Sequence, residues 1–225
     1  NDPTVPGLAT RLAATAETHY AAGLAAPTEG RPHHALRAFV DSSSDGPMAL
    51  VLTGEPGIGK STLWREGIRF AEERGFGICR CRPVDAEAQL AFASLSDLLV
   101  DVADDELGAL PQPQRRALGV ALLRAEPDGL ELPPRAVAVA TLGLLQHLAR
   151  QRPIVVGIDD AQWMDQPSRR VLAFVVRRLR TERVGFLIAT RAARGNSILD
   201  DVDHDAGVRV VEQQVAALDT GHVET

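Results

Sequence analysis

An α/β fold with a mostly parallel sheet is predicted by three observations in this sequence. Short apolar runs alternate with helical patterns, the stretch Gly54-Glu-Pro-Gly-Ile-Gly-Lys-Ser-Thr62 directly follows the first of those runs, and a later run, Ile154 to Ile158, ends in the paired carboxylates Asp159-Asp160. Strands separated by helices pair in parallel rather than as hairpins. The expected sheet has about five strands with helices on both faces, and ligands bind at the carboxyl ends of such strands.

Composition sets the outer bounds. The chain has 225 residues, of which 45% are hydrophobic, enough for one substantial core. Six Phe, two Trp and one Tyr leave that core to Ala, Leu and Val. A net charge of -6 argues against broad contact with a nucleic-acid backbone. No apolar run is long enough to span a bilayer, and the start Asn1-Asp-Pro-Thr4 lacks the regions of a secretory signal, so a cytoplasmic protein without a membrane partner is expected. Cys79 and Cys81 fall on one face of a strand, lack the paired Cys/His spacing of a metal site, and are expected to be reduced.

In chain order, residues 1–29 are rich in Ala, Thr, Gly and Pro and read as a linker or an appended helix, leaving 30–225 as a nucleotide-binding domain. Gly30 to Val40 leads through the break Asp41-Ser-Ser-Ser-Asp-Gly-Pro47 into a strand at Met48 to Thr53. The loop after it fits G-x-x-x-x-G-K-[ST], the phosphate-binding loop of a P-loop NTPase. Its members Gly54, Glu55, Pro56, Gly57, Ile58, Gly59, Lys60, Ser61 and Thr62 are candidate nucleotide contacts. Glycines keep side chains clear of phosphate oxygens, Lys60 reaches the β and γ phosphates as a mobile cation, and the Ser61 hydroxyl is placed to coordinate magnesium. A helix from Ser61 to Arg74, carrying Leu63, Ile68 and Phe70 among good helix formers, adds its N-terminal partial charge to the same phosphates.

Beyond the strand containing Cys79, helical patterns run from Phe92 to Ala103, Gln112 to Arg124 and Pro134 to Arg150. Strands at Ile154 to Ile158 and Val184 to Ala189 flank a helix beginning near Pro167, and Val208 to Val211 is a candidate fifth strand. Arg169, Arg170, Arg177, Arg178 and Arg180 share that helix with the apolar stripe Val171, Leu172, Val175 and Leu179, and read as its solvated face.

Two strand ends carry chemistry. A continuous β-branched run ending in two acids is the form expected of the strand beside the phosphate loop, with Asp159 holding magnesium through water and Asp160 orienting or deprotonating the attacking water. If the strand ending in Thr190-Arg191 neighbours the loop strand, those two residues face the γ-phosphate. Asp160, Lys60 and Arg191 are therefore the candidate catalytic groups. The chain has no Asn-Lys-x-Asp element for guanine. A small-molecule kinase remains an alternative, although residues 82–133 lack the arginine-rich lid such enzymes need; so does an interaction module with a relic loop.

Five ordered segments carry a family resemblance: the loop 54–62, then Leu90 to Leu99, Ala136 to Leu145, Arg152 to Asp165 and Phe186 to Arg191. Together they resemble the ATPase module of large ATP-binding LuxR-type transcriptional regulators, within the AAA-related signalling ATPases of the STAND class, over roughly residues 30–211. The resemblance implies an AAA-like core that takes ATP or ADP with Mg2+ and acts as a slow ATPase switch. In such a switch nucleotide and inducer control self-association, and DNA is met only through a domain outside this chain. It also implicates Arg31, although the Gly-Arg-Glu element common in these proteins is here Gly30-Arg31-Pro32. Gln162 stands where relatives often carry His before Trp163. Asp165 matches the family and equally suits the cap of the helix entered by Gln166-Pro167. The chain stops just past the fifth strand, so the helical lid of such proteins is expected to be absent. An arginine finger stays unassigned among Arg177, Arg178, Arg180 and Arg183.

Overall fold

Met48–Thr53 (β1), Gly77–Cys81 (β2), Ile154–Ile158 (β3), Val184–Thr190 (β4) and Arg209–Gln214 (β5) form one five-stranded sheet in the order β2-β3-β4-β1-β5. Every pairing in it is parallel. The computed structural model describes residues 32–126, 132–191, 199 and 207–215. Arg31 and the N-terminal segment 1–29 lie outside the described residues.

β1, β3 and β4 are buried along their whole length, which is why they read as unbroken apolar runs rather than alternating ones. Alternate residues still separate the two faces. Met48, Leu50, Leu52, Val155 and Leu187 pack with Leu36, Phe39, Trp64 and Ile68 from α1, Pro32–Ser43, and α2, Lys60–Glu73. Ala49, Val51, Val156, Phe186 and Ile188 face a larger cluster. It is built on α3, Ala93–Leu98, α4, Asp104–Gly108, α5, Gln112–Ala121, α6, Pro134–Gln151, and α7, Gln166–Val176. Each fully buried Leu, Val or Phe contributes about 1.5–3 kcal/mol over its exposed state, so both faces hold the sheet.

The P-loop helix is seated closely on the sheet. Trp64 donates its indole N–H to the Leu187 carbonyl at 3.1 Å. A Cβ on Gly157 would lie 2.6 Å from Ile68 Cδ1 and 3.0 Å from Trp64 Cζ2, so β3 carries a glycine where α2 lies against it.

Several sequence expectations need adjustment. The segment before Asp41 is helical: Leu36, Phe39, Val40 and Ser43 make the buried stripe of α1. The helix expected from Phe92 to Ala103 stops at Leu98, where Arg124 draws the carbonyls of Leu99, Val100 and Val102 onto its guanidinium at 2.6, 3.0 and 2.7 Å, and the next short helix begins only at Asp104. β4 lies beside β1, the condition on which Thr190 and Arg191 are placed near the phosphate loop, and it separates β1 from β3. α7 ends at Val176, so Arg177, Arg178 and Arg180 follow the helix rather than line it. Cys79 and Cys81 are free thiols on the buried face of β2, and burial pushes the Cys79 thiol up to about 12. No described helix is long and apolar enough to cross a membrane.

Candidate nucleotide site

β1 delivers the chain to the loop 54–59, and α2 carries it away. Gly54 has φ 153°, and a Cβ there would meet the Val215 carbonyl at 2.8 Å. The end of β5 thus presses on the loop's first residue, helped by the bond from Val215 N–H to Thr53 O at 2.7 Å. Gly59 caps α2 with φ 103°, a conformation that L side chains rarely adopt. Glu55, Pro56 and Gly57 are exposed, and Ile58 is half-buried against the cluster on that face.

The loop turns back on itself with few internal bonds. Ile58 N–H donates to Glu55 O at 3.4 Å, and Thr62 N–H to Gly59 O at 3.0 Å. Among the described residues, the N–H groups of Gly57, Gly59, Lys60 and Ser61 have no acceptor. Four open donors at a helix N-terminus, on a glycine-rich turn, are an arrangement that could hold an anion. Lys60 is buried, and its ammonium donates to the carbonyls of Gly54 and Glu55, both at 2.8 Å.

Opposite lies the end of β3. Ser61 donates its hydroxyl to Asp159 Oδ1 at 3.0 Å across 98 residues of sequence. Because β4 separates the strands, the contact is made by side-chain reach rather than strand adjacency. Asp159 is only 2% exposed, and burial raises its carboxyl above the usual range, opposed first by the Ser61 hydroxyl. A hydroxyl and a buried carboxylate are hard oxygen donors, and this pair fits magnesium. Asp160 takes the left-handed conformation, φ 59°, which Asp tolerates better than most residues.

Gln162 ties this strand end to β4. Its amide donates to Asp160 Oδ1 at 2.9 Å, and its carbonyl oxygen accepts the Arg191 N–H at 3.2 Å. Arg191 is exposed with its guanidinium over the Trp163 ring, 5.7 Å from the centroid. Thr190 is buried and lies in register with Thr53, at the root of the phosphate loop. Thr62 is exposed on the first turn of α2. Lys60, Ser61, Asp159, Asp160, Thr190 and Arg191 therefore all fall at the carboxyl ends of β1, β3 and β4.

Arg82 was not marked by any motif. It follows β2 and places Nε 3.6 Å from Asp159 Oδ2 and 3.9 Å from Asp160 Oδ2. The available signal was its position one residue past a strand end. Asp165 is resolved as the cap of α7: it accepts from Ser168 N–H at 2.9 Å and, across the loop, from Phe92 N–H at 2.9 Å and Ser94 N–H at 3.0 Å.

Three solved structures are similar at low identity. Cdc6p from Pyrobaculum aerophilum matches with TM-score 0.46 and 15% identity, over 82% of this chain and 45% of that one. Drosophila ORC bound to DNA matches with TM-score 0.43 and 15% identity, over 83% and 43%. Drosophila ORC bound to AT-rich DNA and Cdc6 matches with TM-score 0.44 and 10% identity, over 86% and 61%. This chain thus spans less than two thirds of each of those chains. No curated protein matches the sequence. The family described as AAA ATPase domain matches residues 30–188, from the approach to α1 through the phosphate loop and the paired acids to β4, and the chain belongs to that family.

Proposed function

We propose that this chain is the ATP-binding switch module of a signal-responsive transcriptional regulator, hydrolysing ATP slowly and using nucleotide occupancy to control self-association or the output of attached domains. The observation that carries the nucleotide reading is the Ser61 hydroxyl on Asp159 at 3.0 Å, beside four backbone donors without an acceptor. In that reading the N–H groups of Gly57, Gly59, Lys60 and Ser61 and the Lys60 ammonium bind the phosphates, while Ser61 and Asp159 hold magnesium, which neutralises phosphate charge. Asp160 orients water with Gln162, Thr190 and Arg191 sense the γ-phosphate, and Arg31 contributes on the adenine side. The regulatory part of the proposal rests on the ordered segments that resemble LuxR-type regulators.

Calorimetric titration with ATP, ADP and GTP, with and without magnesium, tests this. Magnesium-dependent binding of ATP and ADP in preference to GTP is expected. No binding of any nucleotide would leave the loop a relic and end the switch reading. Steady-state phosphate release is expected to be slower than about one per second, because a nucleotide switch gains about 10³ to 10⁵ in rate from a supplied arginine. Release should rise with protein concentration if a second copy supplies that group.

A further inference from the structure

The segment joining β2 to α3 is fastened at both ends to one loop, residues 159–165. At its start Arg82 reaches Asp159 and Asp160 at 3.6 and 3.9 Å. At its end Phe92 and Ser94 give their N–H groups to Asp165 at 2.9 and 3.0 Å. Between these points the chain is held by turns, Glu87 N–H to Val84 O at 3.0 Å and Leu90 N–H to Glu87 O at 2.9 Å. It presents Val84 and Leu90 to solvent, 44% and 58% exposed.

The two fastenings differ in kind. Asp165 is buried and its bonds are to backbone, so breaking them would strand polar groups in the core. The Arg82 side chain is 68% exposed and its contacts are long, so it can leave into water at little cost.

We propose that Arg82 is an exchangeable counter-ion for Asp159 and Asp160, yielding them to a divalent cation, so that loading the phosphate loop frees the near end of segment 82–92 while Asp165 keeps the far end. This rests on the nucleotide-binding reading above. Asp159 is buried, and among the described residues the cation nearest to its carboxylate is the Arg82 guanidinium. A magnesium ion held by Ser61 and, through water, by Asp159 would bring twice the charge of Arg82 to the same carboxylate, and two cations repel at such close range. Both cannot satisfy Asp159 fully. Arg82 thereby raises the magnesium concentration needed for loading and links occupancy to the Val84–Leu90 surface.

The test uses ADP, so that turnover plays no part. ADP binding is followed across magnesium concentration for the wild type and Arg82→Gln, and amide hydrogen exchange is followed over 84–91 in both. Removing this long ion pair, exposed on its Arg82 side, should lower the magnesium needed for half-maximal binding by about two- to fivefold. Exchange over 84–91 should speed up when the wild type is loaded, and should already be fast in unloaded Arg82→Gln. Superimposable magnesium curves for the two proteins, or slower exchange over 84–91 on loading the wild type, would overturn the proposal while leaving nucleotide binding in place. Failure of the wild type to bind ADP at any magnesium concentration would overturn both.

Discussion

Asp159 and Asp165 lie in the same loop and are equally hidden, at 2% and 1% exposure, yet the chain treats them in opposite ways. Asp165 receives three backbone N–H groups from two segments, and those bonds fix where α3 and α7 begin. Asp159 receives one hydroxyl at 3.0 Å, the backbone N–H of Asp160 and a distant guanidinium, and burial holds its carboxyl above the ordinary range. A buried carboxylate saturated by backbone donors is a structural element. One with fewer donors keeps capacity for a cation stronger than the distant, exposed guanidinium that the chain supplies.

The largest effect should come from breaking the saturated member. Asp165→Ala leaves the N–H groups of Phe92, Ser94 and Ser168 without their acceptor in a buried place, and should cost about 3–5 kcal/mol of folding stability. Urea unfolding measures it. A loss below about 1 kcal/mol would mean that water enters and replaces the carboxylate, and the contrast with Asp159 would weaken. Asp165→Asn keeps one acceptor oxygen and should fall between.

Next in size is Lys60→Ala, which bears on binding rather than folding. Among the described residues the ammonium holds only the carbonyls of Gly54 and Glu55, so the fold should survive its removal. Magnesium-ATP affinity should fall by about 1–3 kcal/mol or more, the scale of a charge-assisted hydrogen bond. Equal affinity in both proteins, read by calorimetry, would sink the phosphate-loop assignment.

The same contrast shows what was legible in the sequence. The phosphate loop, the strand ends and Asp159 could be read because their chemistry is local: a spacing of glycines, a hydroxyl after a lysine, acids after an apolar run. The cap at Asp165 was half legible, since Gln166-Pro167 announces a helix start but nothing near it announces Phe92 and Ser94. The break after α3 depends on Arg124, distant in sequence, and the insertion of β4 between β1 and β3 depends on how helices cross the sheet. α1 was legible in principle through the spacing Leu36, Phe39, Val40, Ser43, but two histidines and a serine-rich exit hid it. Arg82 gave no local sign, because its role comes from where β2 ends relative to β3.

A smaller effect is expected for Asp159→Asn, and its sign depends on pH. A carboxyl raised in the folded state binds its proton more readily folded than unfolded, so between the ordinary value of 3.8 and the raised one, stability falls as pH increases. At neutral pH the ionised, desolvated carboxylate is a cost, and the amide should be as stable as the wild type or slightly more so. The amide also removes the anionic donor, so nucleotide binding should lose its dependence on magnesium. Unfolding midpoints measured from pH 4 to pH 7 and magnesium titrations check both halves. A clear loss of stability at pH 7 would show that Asp159 is as structural as Asp165.

Asp160→Asn should change folding and binding least, which makes it the cleanest separation of roles within the pair. Asn is among the few side chains that tolerate the left-handed backbone at this position, φ 59°, so no strain is added. The Gln162 amide can donate to an Asn oxygen as it does to Asp160 Oδ1 at 2.9 Å. What disappears is one charge on a partly exposed side chain and a 3.9 Å contact with an exposed guanidinium, together within about 0.5 kcal/mol. Stability and magnesium-nucleotide affinity should therefore match the wild type. Hydrolysis should not, because positioned general-base catalysis contributes about 10² to 10⁴ in rate and an amide cannot accept the proton. Phosphate release measured beside calorimetric affinity gives both numbers from one preparation. If Asp159→Asn and Asp160→Asn reduce binding and turnover alike, the two acids act as a single charged site and the division between metal holder and water-orienting base fails.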